Sequence, residues 1–254
     1  MKTAVISGGN GGIGRALAAQ LKAQGWHCVL MDVNIAGLEA SDSQTPIEVD
    51  LTDAMALLTA VSQIIAQRPS IDLVIYNAGV SQIGPFSDAD LSSHRRLFEI
   101  NYFAAVEMAR AFLHPIRDSG GTHLAISSVA GFAPLQNRTA YAASKHALHG
   151  FFSSLRSEES QYGVRCLIAA PSFVASNVGN PEFSDDGIVR PGAAADGIDL
   201  MTPDDAAKAI LKGFAKGQAF VPVGRVAWLA ALIMRVSPRL YERLMRRRFG
   251  KSAT

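Results

Sequence analysis

The stretch that decides the fold is Ser7-Gly8-Gly9-Asn10-Gly11-Gly12-Ile13-Gly14. The apolar run Thr3–Ser7 leads into it, and a helical pattern begins inside it. Glycine lets a backbone turn sharply and approach a phosphate closely. The N–H groups and the positive dipole end at the start of a helix then favour a pyrophosphate. This order of strand, glycine-rich turn and helix predicts a dinucleotide-binding unit rather than an ordinary turn.

An acidic residue ends the second predicted strand, His27–Asp32. A carboxylate at that place can accept hydrogen bonds from both hydroxyls of an adenosine ribose. Asp32 would also face the 2′-phosphate of NADP, and two like charges ~4 Å apart repel by up to about 4 kcal/mol at an intermediate dielectric. Because Val33-Asn34 and the glycine-rich stretch before Gly12 hold no Lys or Arg, we expect NAD rather than NADP. Arg15 is the nearby cation that argues the other way.

Short apolar runs alternate with longer helical patterns along the rest of the chain. The runs are nearly continuous in apolar residues, which is typical of parallel strands covered on both faces. Alternation of strand and helix implies right-handed crossovers, so we predict a single Rossmann-type α/β domain over residues 1–254, a doubly wound parallel sheet with helices on both faces. The predicted strands are Thr3–Ser7, His27–Asp32, Ile47–Asp50, Ile71–Asn77, Thr122–Ser128, Val164–Ala170 and Ala219–Val223, and the predicted helices are 13–25, 53–67, 88–117, 140–161 and 203–217.

Composition excludes several classes of protein. The chain has 254 residues, of which 24 are Lys or Arg, 22 are Asp or Glu and 48% are hydrophobic. Such a hydrophobic content excludes a disordered chain, and a near-balance of charge argues against a nucleic-acid partner. The six His residues show no ligand spacing with Cys or carboxylates, so we expect no metal site.

The cellular compartment can also be predicted from composition. Cys28 and Cys166 lie in apolar runs and are expected to be buried thiols of a reduced compartment. No run approaches the ~18 apolar residues of a membrane span, and the N-terminus lacks the pattern of a cleaved leader. We therefore expect a cytoplasmic protein.

Tyr141 and Lys145 are four residues apart in a predicted helix and therefore share one face. A free tyrosine has a pKa of about 10, and a nearby ammonium favours the phenolate and lowers that pKa. Tyr141 could then exchange a proton with a reacting oxygen. Ser128, at the end of the fifth predicted strand, could hydrogen-bond the same oxygen and stabilise its developing charge.

Together these motifs resemble the short-chain dehydrogenase/reductase family, classical type, almost from end to end. The spacing G-x-x-x-G-x-G at Gly8, Gly12 and Gly14 has the family's form. The resemblance implies a catalytic group of Asn101, Ser128, Tyr141 and Lys145, in which Lys145 also holds the nicotinamide ribose and Asn101 fixes a water that links Lys145 to solvent. The residues it implies for cofactor binding are Gly8, Asn10, Gly12, Ile13, Gly14, Asp32, Asp50, Leu51, Asn77, Ala78, Gly79, Tyr141, Lys145, Pro171, Val174 and Ser176.

Two positions depart from the family pattern. Ser7 replaces the usual Thr and keeps a hydroxyl, and Pro171-Ser172 replaces the usual Pro-Gly. The turn-rich stretch 171–202 is long for a passive connector, so we predict a mobile substrate loop that becomes ordered when cofactor and substrate bind.

The substrate is expected to be a small apolar alcohol or ketone, because the segments near the predicted site are largely apolar. The same side chains could instead only pack the loop onto the domain. The resemblance adds steroid-, retinoid- or lipid-like substrates and a homodimer or homotetramer. Three alternatives stay open: an NADP(H)-dependent carbonyl reductase, a sugar-nucleotide epimerase of the extended branch, and a non-catalytic cofactor-binding sensor, which would typically lack the Tyr or the Lys.

The C-terminal segment 225–250 is basic and amphipathic. Residues 225–254 hold seven Arg, one Lys and one Glu. Trp228, Leu232, Val236, Leu240 and Leu244 recur every four residues, and Pro238 is expected to split or kink the helical pattern. An apolar stripe edged by Arg is typical of a helix that lies on a membrane surface, and here it could also cover the pocket entrance. It is equally typical of a helix that packs on its own domain or on a second subunit.

Overall fold

Parallel strands make up the central sheet of the protein, which we describe from a computed structural model. The structure describes residues 1–176, 188–189, 192 and 200–249, with side chains to residue 247. The strands are β1 Thr3–Ser7, β2 His27–Asp32, β3 Gln44–Glu48, β4 Leu73–Tyr76, β5 Ser81–Gln82, β6 Thr122–Ile126, β7 Arg165–Pro171, β8 Ile188–Val189 and β9 Phe220–Val223.

Helices fill the connections between the strands. A π-helical turn, Glu99–Phe103, joins the third and fourth of them. The α-helices are α1 Gly12–Ala23, α2 Ala54–Gln67, α3 Leu91–Phe98, α4 Ala104–Ala111, α5 Leu113–Ser119, α6 Thr139–Glu159, α7 Pro203–Ala215, α8 Arg225–Val236 and α9 Pro238–Phe249.

The seven-stranded sheet has the order β3-β2-β1-β4-β6-β7-β9 and all its pairs are parallel. Its two faces are buried in separate hydrophobic clusters. Ala4 and Ile6 of β1 belong to the cluster under α1 and α7, whereas Val5 belongs to the cluster under α2, α4 and α6. The predicted doubly wound α/β fold is therefore confirmed.

The strand order reverses at β1, which pairs with β2 on one side and with β4 on the other. In an open α/β sheet, a crevice forms outside the carboxyl ends of the strands at such a point. The glycine-rich turn follows β1 directly, so the fold places it in this crevice.

Two predicted elements differ from the observed ones, one observed pair of strands was not predicted, and one predicted segment is mostly undescribed. The predicted helix 88–117 is interrupted by the π-helical turn and again at Phe112, so it forms three α-helices. Strand β3 begins at Gln44 and contains Pro46, which an edge strand tolerates because one side of it makes no ladder. The antiparallel pair β5–β8 is absent from the prediction, since two-residue strands have no periodicity to detect. Most of the predicted substrate loop 171–202 lies outside the described residues.

Candidate active site

A cleft with a volume of about 960 Å³ lies at the carboxyl ends of the central strands. The glycine-rich turn lines one part of the cleft, and the start of α6 lines another. Sixteen of the site residues predicted from the sequence line this cleft. They are Gly8, Asn10, Gly12, Ile13, Asp32, Asp50, Leu51, Asn77, Ala78, Gly79, Ser128, Tyr141, Lys145, Pro171, Val174 and Ser176.

Close backbone approach explains the glycines of the turn. Gly8 has a φ of +61°, and a Cβ there would lie 2.9 Å from the Cα of Ala78. A Cβ on Gly12 would lie 2.6 Å from the carbonyl oxygen of Ser176. Gly14 is not among the residues that line the cleft, and its contact with the cofactor stays a prediction. A side chain there would collide with the carbonyl of Gly8, so Gly14 allows α1 to start close to the turn.

The Ser7 hydroxyl ties the turn to the end of β4. It accepts hydrogen bonds from the backbone N–H groups of Asn77 and Ala78 at 3.0 and 3.1 Å. It also donates to the carbonyl of Ile75 at 3.3 Å. The Asn77 amide donates to the Gly8 carbonyl at 2.9 Å. Ser7 thus provides the hydroxyl that joins the glycine-rich turn to the end of β4.

The start of α1 has the properties of an anion site. Asp53 caps α2 and Thr202 caps α7, but no side chain caps α1 within the part of the chain that the structure describes. The Oδ1 atom of Asn10, which lines the same part of the cleft, is buried without a hydrogen-bond partner among the described residues. Uncapped N–H groups at the positive end of a helix suit a pyrophosphate, so the residues present fit a dinucleotide.

Asp32 lies at this same end of the cleft. Its carboxylate accepts hydrogen bonds from the backbone N–H of Asn10 at 2.9 Å and that of Asn34 at 3.3 Å. Arg15, the nearby cation, does not line the cleft. Its guanidinium donates instead to the carbonyls of Asn10 at 3.1 Å and Ala36 at 3.3 Å. The negative charge of Asp32 therefore faces the cleft without Arg15 beside it there.

Tyr141 and Lys145 lie on the inner face of α6, where both are buried. The Lys145 ammonium lies 5.9 Å from the centre of the Tyr141 ring and donates to the carbonyl of Ile126 at 3.0 Å. Burial lowers the pKa of Lys145 to about 8. This lysine is therefore charged at neutral pH and loses its proton as the pH rises through about 8.

Burial raises the pKa of Tyr141, which is opposite to the direction expected from sequence. Hydrogen bonding with the Ser128 side chain and the positive charge of Arg138 act against this rise. The expectation rested on Lys145, whose ammonium donates to the Ile126 carbonyl. The cation that acts to lower the pKa of Tyr141 in this structure is Arg138.

Arg138 is a site residue that sequence reasoning missed. It precedes α6, lines the cleft and donates from Nη1 to the Ser81 hydroxyl at 2.9 Å. The signal that could have found it is its position three residues before Tyr141, which places both on one side of the helix start.

Asn101 lies behind the cleft in the π-helical turn and is 1% exposed. Its Oδ1 accepts from the Val80 N–H at 2.8 Å, and its Nδ2 donates to the Val80 carbonyl and to the Ser144 hydroxyl, both at 2.9 Å. The side chain thus joins β5 to α6. Gly79 keeps space beside it, because a Cβ there would lie 3.1 Å from Asn101 Oδ1 and 3.4 Å from Lys145 Nζ. The water relay stays a prediction.

The cleft has many apolar lining residues and several charged ones. Arg96, Glu99 and Arg138 line it, so it carries more charge than the sequence indicated. Phe86 is 68% exposed and lies outside the cleft, as does Pro85. The apolar lining residues include Ile83, Leu135, Phe173, Ile188, Val189 and Leu200.

Among the described residues, no three His, Cys, Asp or Glu side chains form a group that could hold a metal ion. The chemical groups of the cleft are instead a phenol, a hydroxyl, an amine and a guanidinium. Such a set can donate and accept protons at an oxygen atom.

Comparisons with known proteins agree with this geometry. A sequence model of the short chain dehydrogenase family matches residues 2–187. The chain is 30% identical to dehydrogenase/reductase SDR family member 7B of Xenopus laevis, over 97% of this chain and 81% of that protein.

Solved structures show the same fold. A short chain dehydrogenase from Burkholderia cenocepacia, in complex with NADP, has a TM-score of 0.84 at 21% identity and covers 96% of this chain and 99% of its own. A short chain dehydrogenase/reductase from Burkholderia phymatum, in complex with NAD, has a TM-score of 0.77 at 20% identity and covers 92% of each chain. From the family match and the curated relative, the chain belongs to the short-chain dehydrogenase/reductase family and is an NAD(P)-dependent oxidoreductase.

Proposed function

We propose that the protein interconverts an apolar secondary alcohol and its ketone with NAD(H). The observation that carries the proposal is that Tyr141 and Ser128 line the same cleft as the glycine-rich turn and apolar residues such as Ile83 and Leu135. A phenol beside a hydroxyl serves proton transfer at an oxygen atom, and an apolar lining selects the body of the substrate.

The chemistry divides between cofactor and protein. When bound, the nicotinamide ring supplies the hydride to the carbonyl carbon or accepts it from the alcohol carbon. The Tyr141 hydroxyl gives a proton to the ketone oxygen, or takes one from the alcohol in the reverse direction. The Ser128 hydroxyl hydrogen-bonds that oxygen and stabilises its developing negative charge. The buried Lys145 ammonium would hold the nicotinamide ribose.

The preference for NAD(H) rests on Asp32. Its carboxylate faces the cleft, and the cations among the described lining residues are Arg96, Arg138 and Lys145, which lie toward α3 and α6. A 2′-phosphate near Asp32 would meet a like charge without a compensating cation.

The cofactor preference can be tested with Asp32→Asn, which removes the charge and keeps an acceptor for the Asn10 N–H. The ratio of kcat/KM with NAD(H) to that with NADP(H) should fall by about ten- to a thousand-fold. Glu48→Gln is the matched control, because Glu48 pairs with Asp32 across β2 and β3 but does not line the cleft. A wild-type protein that prefers NADP(H) would contradict the role given to Asp32.

The reaction itself can be tested by a substrate screen. The purified protein is given NAD with secondary alcohols, and NADH with ketones, each panel graded in size and polarity, and NADH absorbance is followed. We expect kcat/KM to rise with the apolar size of the substrate. Higher kcat/KM for small polar substrates would contradict the apolar class, and tight NADH binding without turnover of any substrate would favour a cofactor-binding sensor.

We also propose that the enzyme works in the cytoplasm as a homodimer or homotetramer. Cys28 and Cys166 are buried free thiols, which suit a reducing compartment. Near the π-helical turn, Leu91 is 65% exposed and Phe103 is 44% exposed, and such apolar side chains are candidates for a subunit contact. Light scattering of the wild type and of Phe103→Ser would test this, and a wild-type monomer at micromolar concentration would contradict it.

A further inference from the structure

The last two helices begin beside a residue that lines the cleft. Helix α8 begins after Gly224, whose backbone lies so close to Ser172 that a Cβ on it would be 2.6 Å from the serine hydroxyl. Ser172 lines the cleft. The N–H of Trp228 bonds to the Gly224 carbonyl at 3.1 Å, so the first exposed aromatic residue of α8 is one turn away from the glycine that adjoins Ser172.

These helices pack on the domain through a face different from the one that carries Trp228 and the leucines. Ala227 and Ala230 of α8 and Tyr241 of α9 are buried in a cluster with Val129 and Ala133, which follow Ser128. The partly buried Ile233, Met234 and Met245 pack against the same cluster. The contact to the domain is therefore already made without Trp228 or the leucines.

The opposite face stays uncovered. We call Trp228, Leu232, Val236, Leu240 and Leu244 the apolar row. Their exposed fractions are 57, 47, 77, 45 and 45%, respectively. The four-residue spacing continues from α8, which ends at Val236, into α9, which begins at Pro238, as the sequence predicted. Several large apolar side chains left exposed on successive helices mark an interaction site.

Arginine follows the apolar row on the same side. Arg235, Arg243 and Arg247 each come three residues after a member of the row, so they share its face of the helix. All three are exposed. Glu242 is the one acidic residue in 225–254. An arginine at the edge of an apolar surface can lay its stem on lipid while its charge stays in the headgroup layer.

The positive charge beside the apolar row decides between two partners for this face, a second copy of the chain and a lipid bilayer. In a two-fold dimer through this face, each apolar row would meet its own copy, and the arginines of both subunits would be brought together. Like charges placed opposite one another oppose such a contact. A bilayer with anionic headgroups offers apolar depth and negative charge at once. No helix within the described residues is long and apolar enough to cross that bilayer.

We propose that α8 and α9 dock the enzyme on the surface of an anionic phospholipid bilayer, with the apolar row in the acyl boundary and the arginines at the headgroups. This docking brings α8, which begins beside the cleft residue Ser172, to the membrane. It does not depend on the proposed substrate class, although an apolar substrate dissolved in lipid would gain a short path to the cleft.

The protein carries a reporter for this contact. It has two tryptophans, of which Trp26 is buried at 8% exposure and Trp228 belongs to the apolar row. On titration with vesicles rich in phosphatidylserine, the full chain should show a blue shift of tryptophan emission and should co-sediment with the vesicles, and both effects should weaken as salt rises. In Trp228→Phe the shift should vanish, since only the buried Trp26 remains, while co-sedimentation persists.

Two sets of variants separate charge from apolar contact. Arg235→Gln with Arg243→Gln and Arg247→Gln should weaken vesicle binding by about a hundred-fold at low salt. Its matched control removes three exposed lysines of α7 as Lys208→Gln, Lys212→Gln and Lys216→Gln, and should bind vesicles nearly as well as the wild type.

The apolar set is Leu232→Ser with Leu240→Ser, which should weaken binding by about ten-fold or more. Its control is Met55→Ser with Leu58→Ser, two exposed residues of α2 at 73 and 51%. Because none of these residues lines the cleft, all variants should keep the wild-type turnover of a water-soluble substrate, which shows that they fold.

Three results would overturn the proposal. The first is the absence of vesicle binding by the intact protein at low salt. The second is an equal loss of binding in the α7 control. The third is an oligomer that dissociates in Leu232→Ser with Leu240→Ser while vesicle binding is unchanged, which would assign the apolar row to a second copy of the chain.

Discussion

Helix α6 and the helix pair α8–α9 both carry a row of residues spaced three or four positions apart, but the two rows face in opposite directions. On α6 the row of Tyr141, Lys145, Leu148 and Phe152 turns inward and every member is buried. Its first two residues line the cleft, and its last two belong to the core under the sheet. On α8–α9 the apolar row turns outward, and its members are 45 to 77% exposed.

This difference teaches that spacing identifies a face, whereas the neighbouring surface decides whether that face is buried. Helix α8 has two apolar faces. Ala227 and Ala230 pack on the domain together with the partly buried Ile233 and Met234, whereas Trp228 and Leu232 are exposed. Apolar character alone therefore does not identify the core face, and the predictions below compare the two regions directly.

The largest expected difference concerns turnover. Tyr141→Phe removes only the hydroxyl that exchanges the proton, so kcat should fall by about a hundred- to ten-thousand-fold while NADH binding is largely kept. Trp228→Phe alters a ring on the outer row and should leave kcat with a water-soluble substrate unchanged. Steady-state kinetics with fluorescence titration of NADH measures both. An unchanged kcat in Tyr141→Phe would remove this residue from the mechanism.

A second difference concerns stability. Phe152 is fully buried in the core, so Phe152→Ala should lower the free energy of unfolding by about 3–5 kcal/mol. Leu232 is 47% exposed, and Leu232→Ala should cost less than about 1 kcal/mol. Chemical denaturation of both variants tests the comparison. Equal losses would mean that the outer row is covered, for instance by a second subunit.

The smallest difference concerns a single charge. Because the Arg138 cation acts against the rise of the Tyr141 pKa, Arg138→Gln should raise that pKa further. The pH profile of kcat/KM for alcohol oxidation should then move to higher pH, with a loss of less than about ten-fold at neutral pH. Arg138→Lys should restore the profile, and Arg239→Gln on α9 should leave it in place. A profile that does not move in Arg138→Gln would leave Arg138 with a structural role only.

Most residues predicted to bind the cofactor line one cleft, because their pattern depends on the backbone and on local order. The glycine-rich turn, the strand before it and Asp32 are neighbours along β1, α1 and β2, so a local pattern contains all of them. At Gly8 and Gly12 the neighbouring backbone leaves no room for a side chain, so the sequence must carry glycine there. Gly14 belongs to the same pattern, and a side chain on it would collide with the carbonyl of Gly8.

The substrate half is harder to predict, because it depends on contacts between distant segments. Arg138 meets Ser81 across 57 residues, and neither residue has a motif of its own. The Tyr141 pKa followed burial and Arg138, since tertiary structure holds the Lys145 amine at the Ile126 carbonyl. The π-helical turn that buries Asn101 also lacks a sequence signature, because its residues fit an α-helix equally well.

The central claim is that Tyr141 supplies a proton while the nicotinamide supplies a hydride to the same carbonyl. The most direct measurement uses NADH deuterated at the nicotinamide carbon that carries the transferable hydrogens, with a ketone that the protein reduces, and mass spectrometry of the product. We predict an alcohol that carries one deuterium on the former carbonyl carbon, formed by the wild type and lost at least about a hundred-fold in Tyr141→Phe. Ketone consumption without deuterium in the product, or equal labelling by Tyr141→Phe, would contradict the account.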